Sequence, residues 1–136
     1  MKKLFFLVVL AMVAQMGLAQ VAASTVQPAT DVAIAAVDNQ VFDFGKIKQG
    51  VPATHEFSFV NKGKVPMIIT NAQPSCGCTI PAWTKDPIPP GGTGFVKATY
   101  NAASPGLFDK SITVTANVES GSVMLRIRGE VVAPNN

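Results

Sequence analysis

Two cysteines that stand two positions apart carry the most distinctive chemistry in this sequence. Cys76 and Cys78 flank Gly77, and they are the only cysteines among the 136 residues. In an extended strand, residues i and i+2 point to the same face, so the two thiols would lie side by side. Such a pair can form a disulfide, bind a soft metal ion, or pack as two small apolar side chains.

A disulfide is the expected product in an oxidising compartment. Bridging residues i and i+2 closes a very small ring, and the chain must bend at Gly77 to bring the two Cα atoms within the usual range of roughly 4.4–6.8 Å. A bridge under strain is readily reduced, which would suit it to thiol–disulfide exchange.

Copper(I) is the metal ion that two thiolates would favour, because it prefers sulfur ligands, and Met67 is a candidate third ligand. Zinc is disfavoured, since a closed structural site needs four ligands and His55 is the only histidine. Cysteine is also among the most frequently buried residue types. We therefore favour a structural pair or a simple bridge, and keep Cys76 and Cys78 as the candidate redox or metal-binding residues.

No catalytic set accompanies the cysteines. His55 is expected on the same strand face as Phe57 and Phe59, where a partly buried histidine is more common than a catalyst. A Gly-x-Ser-x-Gly motif is absent, and the glycine-rich segment 91–94 lacks the lysine of a phosphate-binding loop. Trp83 is expected to pack in the core, although it could instead cover the cysteines. The sequence predicts a protein that is not an enzyme.

The elements that position these residues are predicted to be short β-strands. Apolar and polar residues alternate in short runs, most clearly from Phe108 to Ala116, and ten prolines and eleven glycines argue against long helices. Six clear runs and a seventh around residues 78–80 match the strand number and ~100-residue size of an immunoglobulin-like domain. We predict an all-β fold, an immunoglobulin-like antiparallel β-sandwich of about seven strands over residues 40–133. The six runs are 41–44, 54–60, 67–72, 95–100, 108–116 and 123–132.

The N-terminal residues predict export. Lys2 and Lys3 precede an apolar stretch that is too short to cross a bilayer as a helix, which takes ~20 residues. This is the pattern of a signal peptide, so we expect residues 1–19 to be removed by cleavage after Ala19 or, as second choice, after Ala23. The mature protein would have no transmembrane span and would lie in the periplasm or outside the cell. Residues 20–39 show no clear period and are expected to form a flexible lead-in, with at most a helical turn at 31–37.

Charge disfavours a nucleic-acid partner. The chain has 11 Lys and Arg against 8 Asp and Glu. Removing Lys2 and Lys3 leaves nine against eight, a net charge of +1. The remaining basic residues form no dense cluster, so the chain lacks the charge pattern of a nucleic-acid-binding protein.

Three motifs follow one another along the predicted domain. Phe42 to Gly50 reads F-x-F-G-x-I-x-x-G, Phe57 to Gly63 reads F-x-F-x-N-x-G, and Ser75 to Pro81 reads SCGCTIP before the proline-rich segment 87–91. In this order they resemble an exported bacterial family known as domain-of-unknown-function family 1573. That family is similar to immunoglobulin-like sandwiches of the ASH, major-sperm-protein and hydin type. The resemblance covers roughly residues 40–132 and implies this fold and export, but no activity.

Together these observations predict an exported, non-enzymatic binding or structural module of the bacterial cell envelope. It would need no cofactor and would contact a protein or an envelope polymer through a loop end or an exposed sheet edge. The alternative is a thiol-redox or copper(I)-binding protein that uses Cys76-Gly77-Cys78. Serine in place of both cysteines would leave the first function intact and abolish the second.

Overall fold

Two β-sheets of four strands each form the part of the protein that the structure describes. The structure is a computed structural model that describes residues 32–135. Sheet 1 has the strand order β1-β3-β6-β5, and sheet 2 has the order β2-β8-β7-β4. The prediction of an all-β, immunoglobulin-like sandwich is confirmed. The strands are β1 (Ala35–Val37), β2 (Val41–Lys48), β3 (Ala53–Asn61), β4 (Ile69–Pro74), β5 (Thr79–Trp83), β6 (Thr93–Tyr100), β7 (Gly106–Ala116) and β8 (Ser122–Val132).

The first of these strands lies where the sequence predicted a flexible lead-in. Residues 35–37 pair with β3, and Ala33 is completely buried. The expectation of a flexible lead-in over residues 20–39 is therefore wrong for residues 35–37. The helical turn expected at 31–37 is also wrong within the described residues 32–37. Ala35 and Val37 pack against the core there, but a strand of three residues is too short to show a period of two.

The direction of β2 also differs from the prediction of a wholly antiparallel sandwich. β2 pairs with β8 in parallel, whereas the other strand pairs are antiparallel. The chain passes from β1 in sheet 1 to β2 in sheet 2 through residues 38–40. Parallel strands are not joined by a hairpin turn, so no turn residues in the sequence predict this pairing.

Alternating side chains from both sheets fill the space between them. Phe57 and Phe59 of β3 face the sheet 2 residues Ile112, Val114 and Leu125, and all five are at most 2% exposed. The inward faces that the sequence predicted for β3 and β7 are confirmed. Burying each of these side chains contributes about 1.5–3 kcal/mol, which makes this layer the main source of stability.

One polar side chain in the core ties the N-terminal segment to two loops. Asn61 is 0% exposed, and its Nδ2 donates to the carbonyls of Val65 and Ile88 at 2.7 and 3.0 Å. Its Oδ1 accepts from the N–H groups of Gly63 at 3.0 Å and Ile34 at 3.4 Å. A Cβ on Gly63 would lie 2.7–2.9 Å from backbone atoms of the segment 32–34. The asparagine and glycine of F-x-F-x-N-x-G are therefore structural residues.

The predicted signal peptide (1–19), both cleavage sites and residues 20–31 lie outside the described residues. Within residues 32–135, no helix is long and apolar enough to cross a membrane.

Candidate functional site

The two cysteines lie in the connection that leads from sheet 2 to sheet 1. Cys76 and Cys78 follow β4 and precede β5, and a disulfide joins them with their Cα atoms 5.3 Å apart. Both are partly exposed, and Gly77 between them is exposed. A Cβ added at Gly77 would meet no atom within 4 Å. The bridge is therefore open to solvent on this side.

Backbone hydrogen bonds hold this connection at both ends. The N–H of Ser75 donates to the carbonyl of Ser111, and the N–H of Asn101 donates to the carbonyl of Cys78, both at 2.9 Å. The Ser75 hydroxyl in turn accepts from the N–H of Ser111 at 3.2 Å. These bonds hold the backbone before and after the two cysteines to Ser111 and Asn101.

Thr79, directly after the cysteines, is a residue that the sequence pattern did not single out. It is only 2% exposed, and its Oγ1 lies 4.0 Å from Sγ of Cys76. In residues 32–135, Sγ of Cys76 is the hydrogen-bond partner of the buried Thr79 hydroxyl. The sequence feature that could have identified Thr79 is its position in the SCGCTIP motif.

His55 is a residue of β3, and its imidazole lies between the rings of Phe42 on β2 and Phe57 on β3. Its imidazole stacks on Phe42 with ring centroids 3.6 Å apart and meets Phe57 edge-on at 4.6 Å. Burial lowers the pKa of His55, against an opposing effect of the Glu56 carboxylate. The expectation of a partly buried structural histidine agrees with this packing.

Neither Met67 nor Trp83 lies near the cysteines. Met67 is completely buried and pairs with Ile88 before the start of β4, whereas the cysteines follow the end of β4. At about 3.3 Å per residue, the extended chain from Met67 to the end of β4 spans roughly 20 Å. Met67 is therefore too distant to act as the third sulfur ligand. Trp83 ends β5 at the side away from the cysteines and packs against the core, with the Lys85 ammonium 3.0 Å from its ring centroid.

The structure offers few ligands for a metal ion in the range it describes. Residues 32–135 hold no cluster of three or more His, Cys, Asp and Glu side chains that could bind one. The soft ligands that the connection brings together are the sulfur atoms of Cys76 and Cys78, which are bonded to each other. Copper(I) would therefore require the reduced pair.

Prolines protect the sheet edges on the cysteine side. Pro81 lies in the middle of β5, the edge strand of sheet 1, and Pro74 ends β4, the edge strand of sheet 2. The carbonyl of Cys78 accepts from the N–H of Asn101, directly after β6, and the N–H of Thr84 donates to the carbonyl of Phe95 in β6. Since bonded positions alternate, the nitrogen of Pro81 faces away from that strand. A proline nitrogen has no hydrogen to donate, so an added strand would find an incomplete ladder there.

The two opposite edges are protected in other ways. β1 has only three residues, and β2 is interrupted by a bulge where its register with β8 shifts between Asp43 and Lys46. Gly45 lies in this bulge with a φ of 65°, and its N–H donates to the Asp43 carboxylate at 2.8 Å. Short edges and bulges both hinder the pairing of another strand. Strand addition is thus disfavoured at all four edges of the described sandwich.

Ion pairs cross the outer surface of sheet 2, and we call the surface around Asp43, Asp109, Arg126 and Arg128 the arginine face. Asp43, Arg128 and Asp109 stand opposite one another on β2, β8 and β7. Arg126 donates twice to Asp109, at 3.1 and 2.6 Å, and Arg128 donates to Asp43 at 3.1 Å. Such exposed pairs contribute at most about 1 kcal/mol each, so their main effect is to orient the two guanidinium groups.

Electrostatics keep the Asp43 carboxylate ionised. The hydrogen bond from the Gly45 N–H is the main cause that holds the pKa of Asp43 below its ordinary value, and Arg128 adds to it. The negative partner of Arg128 is therefore retained in mildly acidic solution.

Apolar side chains stand beside these charges. Leu107 on β7 is 87% exposed and Met124 on β8 is 56% exposed. Leu107, Asp109 and Lys46 help to line a shallow depression of about 500 Å³ between β2 and β7. The arginine face therefore combines oriented charges with accessible apolar surface.

The sequence matches one family of proteins. The model of the protein family of unknown function DUF1573 matches residues 35–131. The chain belongs to this family. No curated protein matches the sequence at a significant level. The resemblance predicted from the three motifs is confirmed.

Solved structures share the fold of this DUF1573 domain at low sequence identity. A protein of unknown function from Porphyromonas gingivalis W83 has a TM-score of 0.67 and 13% identity over 79% of this chain and 51% of that one. The ASH/PapD-like domain 7 of human CEP192 has a TM-score of 0.61 and 10% identity, over 88% and 99%. The VesB protease of Vibrio cholerae has a TM-score of 0.61 and 16% identity, over 71% and 32%. This chain thus spans about half the length of the Porphyromonas protein.

These likenesses establish the fold of the DUF1573 domain. It is an immunoglobulin-like β-sandwich whose fold is similar to that of the ASH/PapD-like domain. Its distinctive chemical features are the disulfide connection and the arginine face.

Proposed function

We propose that this DUF1573 domain is an exported, non-enzymatic module of the bacterial cell envelope that binds a protein partner through the arginine face. The observation that carries the proposal is the row of oriented charges beside an almost fully exposed Leu107. A leucine in water gains about 25 cal/mol for each Å² that a partner covers.

Preorganisation of the arginines favours binding at this face. Arg126 and Arg128 are already hydrogen-bonded to carboxylates. Binding a partner therefore costs little additional side-chain entropy. Arginine and methionine are enriched at protein interfaces, and arginine is frequent among the residues that dominate binding energy. The arginines of this face and Met124 beside them are therefore residue types that favour a protein interface.

The balance of charge favours a protein over a uniformly charged polymer. Two arginines alternate with two aspartates on this face, so a polymer of one charge sign would meet repulsion from half of them. A protein surface can match both signs.

Since proline, a bulge or short length protects the sheet edges, the arginine face is a better docking surface than an edge.

Site-specific photo-crosslinking in the native envelope tests this proposal. A benzophenone amino acid replaces Leu107 in one variant and Ser58, which is exposed on sheet 1, in the matched control. We expect a discrete protein adduct from position 107 alone. Excess wild-type protein should suppress it, whereas excess Arg126→Ala/Arg128→Ala protein should not. Equal adducts from both positions, or equal suppression by both competitors, would overturn the proposal. A diffuse, protease-resistant adduct would identify an envelope polymer and refute the protein partner.

Export is tested by fractionation and N-terminal sequencing of the protein made in its own host. The proposal requires a mature chain in the envelope that begins at Gln20 or Ser24. A chain that retains Met1 and stays in the cytoplasm would contradict it.

A further inference from the structure

The Cys76–Cys78 disulfide joins no separate elements of the fold. It encloses only Gly77, and the chain on both sides is already held to neighbouring strands by backbone hydrogen bonds. A disulfide constrains the unfolded chain in proportion to the logarithm of the loop it closes, so this one contributes little as a cross-link. Stabilisation of the fold by cross-linking therefore does not account for the disulfide.

The bridge is placed where another molecule can reach it. Both cysteines are partly exposed, and the space beside Gly77 is empty. Cys78 packs against the hydrophobic core, so Cys76 is the sulfur with the freer approach. Exposed disulfides are the labile ones in proteins, whereas buried structural bridges resist reduction.

A buried hydroxyl points to the same sulfur atom. Thr79 is almost completely buried, and its Oγ1 lies 4.0 Å from Sγ of Cys76. A hydroxyl can donate its hydrogen to a thiolate, which is a stronger acceptor than a disulfide sulfur. The structure thus provides a donor for the charge that Cys76 would carry when the bridge opens.

We propose that Cys76–Cys78 is a redox-active disulfide that exchanges with the dithiol of a partner protein, with Cys76 as the exchanging sulfur and Thr79 as its positioning residue. A partner thiolate attacks Sγ of Cys76, the S–S bond breaks, and Cys78 leaves as a thiolate. The partner's second thiolate then attacks its own sulfur in the mixed disulfide and releases the Cys76 thiolate beside the Thr79 hydroxyl. Two electrons pass from the partner's thiols to the bridge, and two protons reach the cysteines through water. The partner ends as a disulfide.

The first experiment uses dithiothreitol as the dithiol and the folded, oxidised protein. We expect dithiothreitol to reduce the bridge completely while circular dichroism stays unchanged, and oxidised dithiothreitol to restore it. Thiol content is measured by alkylation and mass spectrometry. Reduction that occurs only at urea concentrations that unfold the protein would refute the proposal.

The second experiment assigns the roles of individual side chains. Cys78→Ser, which leaves Cys76, should form a mixed disulfide with oxidised glutathione faster than Cys76→Ser, which leaves Cys78. Equal or reversed rates would overturn the assignment of Cys76. This comparison does not involve the arginine face, so its outcome is independent of the proposed function.

The third experiment tests Thr79 through the pH dependence of the reaction. In the Cys78→Ser background, Thr79→Val should slow the exchange at pH 7 about threefold, because losing a hydrogen bond to the thiolate reduces the thiolate population, and the greater nucleophilicity of the remaining thiolate offsets only part of that loss. The pH profile should move to higher pH, and Thr79→Ser should restore it. A purely structural Thr79 would leave the profile in place, which would contradict its role. If Thr79→Val does not fold, Thr79→Ala, which also lacks the hydroxyl, must show the same move of the profile to higher pH.

Discussion

Asn61→Ala is predicted to destabilise the domain more than the loss of any other amide side chain in residues 32–135, where Asn61 is the buried one. The substitution removes a side chain that is 0% exposed and hydrogen-bonded to four backbone groups. Two of them are carbonyls, of Val65 and Ile88, and two are N–H groups, of Gly63 and Ile34. Alanine can replace none of these hydrogen bonds, and the site is closed to bulk solvent.

The expected loss follows from the number of groups left without a partner. Each buried polar group that loses its hydrogen bond costs about 1–3 kcal/mol. The bond to Ile34 is long at 3.4 Å, and three of the four bonds lie only partly within the core. We therefore expect roughly 3–5 kcal/mol in total, out of the 5–15 kcal/mol that is typical of a folded domain.

Urea unfolding followed by the fluorescence of Trp83, the only tryptophan, measures this loss. The matched control is Asn117→Ala. Asn117 is exposed, and its amide also contacts two backbone groups, the Ile68 N–H at 2.7 Å and the Pro66 carbonyl at 2.9 Å. Because water can replace both bonds, the control should lose less than about 1 kcal/mol. Should the two variants unfold at similar urea concentrations, the reasoning from burial would be refuted.

Two further predictions concern a close packing contact and a titrating group. Gly129→Ala should lower the free energy of unfolding by roughly 1–3 kcal/mol, since its Cβ would lie 2.8 Å from the Gly45 carbonyl oxygen. Gly77→Ala, which meets no atom within 4 Å, is the control and should melt within a degree or two of wild type. Burial lowers the pKa of His55 in the folded state, so its contribution to stability is present above the unfolded pKa of about 6.5 and is lost as the pH falls below it. Phe42→Ala should weaken this pH dependence in urea titrations, and an unchanged dependence would show that the stacked ring does not bury His55.

The sandwich could be predicted from the sequence wherever alternation extends over several residues. In β3 and β7, apolar and polar residues alternate long enough to assign Phe57 and Ile112 to the core. β1 has three residues, so its pairing depends on contacts with Asn61 that lie far away along the chain. The parallel direction of β2 likewise depends on β8, and no turn connects the two.

The candidate sites show the same division between local and distant information. Residue type and spacing were sufficient to single out Cys76 and Cys78. The position of Thr79 beside the sulfur requires a particular bend of the chain, which spacing does not define. The pairing of Asp43 with Arg128 joins residues 85 positions apart, so it depends on strand register that only the folded sheets fix.

The pairing of β2 with β8 has a consequence for the order of events during synthesis. Of the eight strands that the structure describes, β2 is the second to leave the ribosome and β8, its neighbour in sheet 2, is the eighth. A nascent chain that ends before Ser122 offers β2 no such neighbour, so sheet 2 cannot close until translation of the domain is almost complete. Pairings between distant segments also make folding slow. Such a delayed closure would leave time for a chain to be threaded through a narrow channel before it becomes compact.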